Sequence, residues 1–206
     1  MQGKKQQIIW INGRLLTPGR IRHGDKVYAG MRLWQPERSK IAALCHLGYI
    51  PEIIGAKILY LGASAGTTVS YVADYAEVVY AVEFSRRPMV SLINVCQDRM
   101  NIIPIFGDAR YPGRYYFIVE IVDILIQDIA QRDQVEILLK NIPLLKNGGI
   151  VILFLKMQCM GIDINQGDII KDATERLDKA GIRNITVINM EKYYIWHTAV
   201  IGLLKK

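Results

Sequence analysis

From Lys57 onward, short apolar runs alternate with amphipathic segments, and this alternation limits what the chain can fold into more than any other feature. Strands apolar on both sides belong in a parallel sheet covered on both faces, with the intervening segments as crossover helices. The runs KILYLG, EVVYAVE, IIPIF, VDILIQD and IVILFL read as such strands, followed by two more around TVINM and TAVIGLL. Apolar spacing predicts helices near 67–75, 87–100, 131–145 and 169–180. Lys146-Asn147-Gly148-Gly149 reads as a helix end and turn ahead of the next strand.

The first quarter of the chain has a different pattern. Two short apolar runs flank Asn12-Gly13, a pair that tolerates positive φ and suits a tight hairpin turn. An extended run at Lys26 to Tyr28 follows, and then IAALCHLGYI, whose spacing predicts a helix ending near Gly48. We therefore expect residues 1–50 to form a small β-rich region with a linking helix, and 51–206 to form the main domain.

With 51% hydrophobic residues in 206, the chain can bury a substantial core. Glu120, Asp123 and Asp128 interrupt the longest apolar stretch short of the roughly 18 to 20 residues that span a bilayer. The opening MQGKKQQ lacks the apolar core of a secretory signal, so a soluble intracellular protein with no membrane partner is expected. Cys45, Cys96 and Cys159 are odd in number and widely spaced, which argues for buried free thiols over disulfides or a metal site. A formal charge of +7 favours an anionic partner such as nucleic acid.

The chemistry gathers at strand ends. LYLGASAGTTVSYV breaks its strand at Gly62-Ala63 and enters a helix after Gly66, leaving small residues at the carboxyl rim, where open α/β sheets bind ligands. The next strand ends at Glu83, at the spacing where a carboxylate accepts hydrogen bonds from a ribose; its other reading is stabilisation of the following helix dipole. Asp108 ends a third strand, where it could accept from an adenine amino group. The loop reads GASAG and lacks the G-x-G-x-x-G of a pyrophosphate site, so S-adenosylmethionine suits it better than a nicotinamide dinucleotide.

Taken together, LYLGASAGTTVSYV, VVYAVEFSRR, NIIPIFGDARYP, DILIQDIAQRDQ, LLKNGGIVILFLK and the earlier WQPERSKIAA resemble the archaeal fibrillarin-like proteins over most of the chain. The resemblance implies a Rossmann-like class I S-adenosylmethionine-dependent methyltransferase sheet in the α/β class, with a small amino-terminal β-rich appendage. It implies that Gly62, Ala63, Thr67 and Thr68 form the cofactor loop, and that Glu83 and Phe84 hold the ribose and adenine. Asp108 and Ala109 would contact adenine, and Asp128, Ile129, Ala130 and Gln131 would complete the pocket. Without the family, Phe84 reads as a core aromatic and the two threonines as helix caps.

The activity implied is 2′-O-methylation of ribose in rRNA or tRNA. In similar proteins a Lys-Asp-Lys arrangement serves the hydroxyl; the matching residues are Lys40, Asp128 and Lys156, with His197 as a fourth candidate. Asp128 and Lys156 are expected at the ends of adjacent strands, and Lys40 at the start of a helix. Each has a plain alternative, since a lysine at a strand end is ordinarily solvated and a lone histidine there ordinarily structural. Tyr193-Tyr194-Ile195-Trp196 before His197 departs from the family pattern.

Arg86, Arg87, Arg110, Arg114, Lys140 and Lys146 are candidate phosphate contacts, and Tyr115 and Tyr116 read equally as core or as an RNA-facing surface. No independent RNA-reading motif is evident. The resemblance implies that target choice falls to a box C/D guide RNA, a Nop-domain scaffold protein and a kink-turn-binding protein of ribosomal type. The absence of a glycine/arginine-rich extension points to an archaeal-type cytoplasmic enzyme. The competing class is a non-catalytic assembly subunit that keeps the methyltransferase fold.

Overall fold

The computed structural model describes residues 7–160 and 165–205, so the reading of MQGKKQQ falls, except for Gln7, outside the described residues. The chain begins with four short strands, β1 (Ile9–Ile11), β2 (Arg14–Thr17), β3 (Val27–Tyr28) and β4 (Met31–Leu33), in the order β1-β2-β4-β3. Asn12 and Gly13 both adopt positive φ, 51° and 70°, as a two-residue turn between right-twisted strands requires. Helix α1 (Lys40–His46) follows, capped by the Ser39 hydroxyl, which accepts from the Ala42 amide.

Strands β5 (Lys57–Leu61), β6 (Val78–Glu83), β7 (Ile102–Phe106), β8 (Val122–Gln127), β9 (Leu145–Lys156), β10 (Ile182–Asn189) and β11 (His197–Leu204) form one sheet. Its order is β10-β11-β9-β8-β5-β6-β7, and β11 runs antiparallel to both of its neighbours. Helices α2 (Thr67–Val72), α3 (Arg86–Cys96), α4 (Gln134–Asn141) and α5 (Gln166–Lys179) make the crossovers. The winding reverses between β5 and β8, which opens a crevice at their carboxyl ends.

Alternation along each strand divides two cores. Ile58, Tyr60, Ile124, Ile126, Ile152 and Phe154 face one side, with α2 and α3; Leu59, Leu61, Leu125, Val151, Leu153 and Leu155 face the other, with α4 and α5. The amino-terminal unit joins the first core, where fully buried Trp34 stacks on Tyr71 and Tyr75 at 5.7 and 6.3 Å between ring centroids. A buried ionic cluster fastens the same junction. Arg32 pairs with Asp25 at 2.7 Å and with Asp74, while Arg99 reaches Asp74 at 2.9 Å.

Several boundaries differ from the sequence reading. Helix α3 ends at Cys96 instead of near residue 100, because turn-type bonds from Asp98 to Val95 and from Arg99 to Cys96 swing both side chains into ion pairs. Helix α2 likewise ends at Val72, followed by turns through Tyr75. Helix α4 starts at Gln134, leaving 128–133 as an irregular turn, and Pro143 turns its end into a 3-10 turn. Helix α5 begins earlier than expected because Asn165 caps it, accepting from the Gly167 amide at 2.7 Å.

The KNGG segment is a correction of kind. It lies inside β9, not between a helix and a strand: Val122 pairs with Leu145 but Ile124 with Ile150, so the extra residues bulge out around Gly148 at φ 75°. The thiols are also less uniform than expected. Cys45 is buried, which pushes its pKa up to about 12, whereas Cys96 and Cys159 are partly exposed. Among the described residues no helix is long and apolar enough to cross a membrane.

Candidate active site

One glycine shapes the floor of the crevice at the switch point. Gly62 follows β5 at φ 83°, and a Cβ there would lie 2.6 Å from the Asp128 carbonyl oxygen. Only glycine lets the ends of β5 and β8 close up in this way, and the Asp128 amide then donates to the Leu61 carbonyl at 2.9 Å.

Beside that closure lies a cavity of about 290 Å³. Its lining includes Gly62, Glu83, Phe84, Asp108, Ala109, Asp128, Ile129, Ala130 and Gln131 from the sequence reading, together with Lys156. Glu83 is nearly buried, and its two oxygens accept from the Ser64 amide at 2.8 Å and the Ser85 amide at 2.6 Å. It therefore ties the loops after β5 and β6 together while keeping lone pairs for a ligand's hydroxyls. Phe84 is no core aromatic; it is 59% exposed and lines the cavity.

Asp108 is held by Arg110, whose guanidinium donates at 2.7 and 3.0 Å and whose amide donates at 2.9 Å. The Arg110 hydrogen bonds keep the Asp108 carboxyl below the usual carboxylate range. Arg110 is thus a partner of Asp108 in this site. Ala63, Thr67 and Thr68 do not line the cavity. Ala63 is packed into the core, and the two threonines open α2.

At one end of the cavity the rim carries the charged constellation. Lys40, first residue of α1, donates to both Asp128 oxygens at 2.9 and 3.0 Å. Lys156, last residue of β9, lies 2.8 Å from Oδ1 and also donates to the Asp128 carbonyl at 3.1 Å. All three side chains are less than one-fifth exposed. Burial is the largest influence on Lys40 and pulls its pKa below the usual lysine range, with Asp128 opposing and Lys156 adding to the shift.

His197 begins β11 directly opposite Lys156 in the ladder. Its Nδ1 meets the Ile195 carbonyl at 2.8 Å; a carbonyl only accepts, so Nδ1 carries the hydrogen and Nε2 presents a lone pair. Burial first, then the nearby Lys40 and Lys156 charges, lower its pKa. Two tyrosines, missed from the sequence, complete the surroundings. The Tyr194 ring lies 4.8 Å from Lys40 Nζ, and the Asp128 charge is felt by both Tyr194 and buried Tyr60. A tyrosine inside a strand reads as core, so Tyr60 gave no signal; Tyr194 was visible only as a departure from the family pattern.

The proposed phosphate contacts Arg86, Arg87, Arg114, Lys140 and Lys146 are all exposed, and two are ion-paired, Lys140 with Glu136 and Lys146 with Asp123. Tyr115 is buried and bonds to Asn141, while Tyr116 is 60% exposed. Among the described residues no cluster of His, Cys, Asp and Glu could hold a metal ion.

A sheet wound as in a dinucleotide-binding fold, but with an antiparallel strand wedged before the edge and carboxylates ending its second and third strands, defines the class. It is the Rossmann-like fold of S-adenosylmethionine-dependent methyltransferases. The family model described as Fibrillarin matches residues 9–206, and the chain belongs to that family. A fibrillarin-like rRNA/tRNA 2′-O-methyltransferase of Methanospirillum hungatei is 55% identical over 196 residues, covering 95% of this chain and 96% of the relative. Among solved structures, a fibrillarin/Nop5p complex is similar with a TM-score of 0.87 at 32% identity, covering 95% of this chain and 96% of that one. Aeropyrum pernix fibrillarin, described with natively bound S-adenosyl-L-methionine, is similar with a TM-score of 0.80 at 32% identity, covering 92% of this chain and 88% of that one.

Proposed function

We propose that this chain is the S-adenosylmethionine-dependent catalytic subunit of a box C/D guide-RNA-directed particle that 2′-O-methylates ribose in rRNA and tRNA. The observation that carries the reading is Asp128 gripped by two lysines at the edge of the cavity that Glu83 and Asp108 line. The family and its methyltransferase relatives support the enzyme class. The Nop5p-bound relative supports a Nop-domain scaffold as partner. A guide RNA and a kink-turn-binding protein complete the particle we propose, in an archaeal cytoplasm.

The donor set fits the cofactor. Glu83 would take the ribose hydroxyls, Phe84 would cover the adenine, Asp108 would accept from its amino group, and the Gly62 turn leaves room at the backbone. When bound, S-adenosylmethionine supplies a methyl group already activated by a positive sulfur. The residues then have to orient a weakly acidic hydroxyl and handle its proton. Lys156 Nζ would hydrogen-bond the 2′-oxygen and stabilise the negative charge it gains as its proton leaves for Asp128, freeing a lone pair for the methyl group, whose bond to sulfur would break as the oxygen–methyl bond forms. Asp128 holds that ammonium against Lys40 and passes the hydroxyl proton on towards solvent.

Retention of Lys40, Asp128 and Lys156 in contact argues against a purely architectural subunit. The test is to assemble the protein with scaffold, kink-turn-binding protein and guide RNA, and to follow labelled methyl into a paired target. Methyl on the guided ribose is expected. A fully assembled particle that transfers none would favour the architectural role.

A further inference from the structure

Strand β8 stops pairing with β9 at Gln127 and Leu153, whereas β9 runs on to Lys156. On that side the end of β9 has no strand beside it. Lys156 nevertheless has both backbone groups taken: its N–H donates to Gln134 Oε1 at 2.9 Å, and its C=O accepts from Gln134 Nε2 at 3.1 Å. A carboxamide donates and accepts in one plane as a peptide group does, so Gln134 acts as an extra ladder residue.

The clamp is itself held. Gln134 opens α4 and is fully buried, and its carbonyl accepts from Gln127 Nε2 at 2.7 Å. Gln127 is also fully buried and immediately precedes Asp128. Gln127 and Gln134 thus connect the strand end that carries Asp128 to the strand end that carries Lys156. Neither glutamine lines the cofactor cavity. Buried carboxamides are costly, and Gln127 Oε1 has no hydrogen-bond partner among the described residues, whereas an apolar side chain could fill the same space without that cost and without aligning anything.

We propose that Gln134 is a positioning residue that sets Lys156 against Asp128, with Gln127 bracing it. The proposal rests on the methyl-transfer reading above and adds residues that touch neither cofactor nor RNA. Without the clamp, the Lys156 backbone gains freedom and the 2.8 Å ion pair loses its fixed direction. Transfer suffers while the cavity keeps its shape.

The test compares the wild type with Gln134→Met and Gln134→Glu in the assembled particle. It measures single-turnover methyl transfer at saturating cofactor, cofactor affinity by calorimetry, and hydrogen exchange of the Lys156 amide. In Gln134→Met, transfer is expected to fall about tenfold or more, with cofactor affinity unchanged and Lys156 exchange accelerated. Gln134→Glu keeps the acceptor and regains the donor only when protonated, so its transfer relative to wild type should rise as pH falls. Wild-type transfer in folded Gln134→Met, or an unchanged Lys156 exchange rate, would overturn the proposal. So would a parallel loss of transfer and cofactor affinity. A wild-type particle without transfer would sink the proposed function instead, and the exchange measurement would still decide the clamp.

Discussion

Lys40 holds both carboxylate oxygens of Asp128, at 2.9 and 3.0 Å, across 88 positions of sequence. Removing that carboxylate would leave two neighbouring ammonium groups poorly solvated and without their shared counter-charge. Asp128→Asn is therefore expected to lower methyl transfer by about 100-fold or more while cofactor affinity changes little. Labelled transfer by the assembled particle, with calorimetry on the protein alone, checks both halves. Unchanged turnover would remove Asp128 from the mechanism.

The Gly62 turn makes a separable prediction. In Gly62→Ala the new methyl meets the Asp128 carbonyl oxygen, and φ 83° is itself strained for alanine. Cofactor affinity should drop by about tenfold or more, a loss of at least 1.4 kcal/mol. Calorimetry with S-adenosylmethionine measures it directly.

Glu83 is expected to matter twice, as ligand contact and as the tie between Ser64 and Ser85. Glu83→Ala leaves both amides without their acceptor, so affinity should fall further than in Glu83→Gln, which keeps one. Equal affinities for the two variants would show that the tie is unimportant.

At the junction of the amino-terminal unit, Asp74 is 2% exposed and faces both Arg32 and Arg99. Asp74→Ala takes from buried Arg99 its carboxylate partner and leaves buried Arg32 with Asp25 alone, and a loss of about 3–5 kcal/mol is expected. Urea unfolding followed by circular dichroism would register it. A loss below about 1 kcal/mol would mean that water reaches the cluster.

The acid side is set in part by histidine. His197 and His46 both have pKa values lowered by burial relative to the unfolded chain. Between the folded and unfolded values the unfolded chain binds more protons, so their contribution is complete above about pH 6.5 and is lost as pH falls through the lowered values. The urea midpoint should drop on acidification from pH 7.5 to 5.5, and His197→Gln should drop less. An identical drop in both would clear His197.

What could be read in the sequence followed strand ends. Glu83 and Asp108 were legible because an apolar run stops at a carboxylate, and the rim position follows from the parallel winding alone. Phe84 came with them through the family likeness, and its exposure accords with a ligand-facing ring. Long-range contacts left no local trace: Lys40 was grouped with Asp128 only through the family likeness of RSKIAA, and nothing around Gln134 indicates that its side chain completes a ladder. The KNGG segment misled because glycines and an asparagine suit a helix end and a bulge equally well. Arg110 misled in the same manner, as a free basic residue and a clamp on Asp108 look alike until the turn between them is seen.

Because Lys40 arrives from α1, Asp128 follows β8 and Lys156 ends β9, the reactive constellation is assembled from separate parts of the polypeptide. During synthesis, a nascent chain ending after β8 already contains Glu83, Asp108 and Asp128 yet has no Lys156 to arm them. Competence for transfer therefore waits at least on β9, so an unfinished product can hold nucleotide-binding groups without acting on a bystander RNA.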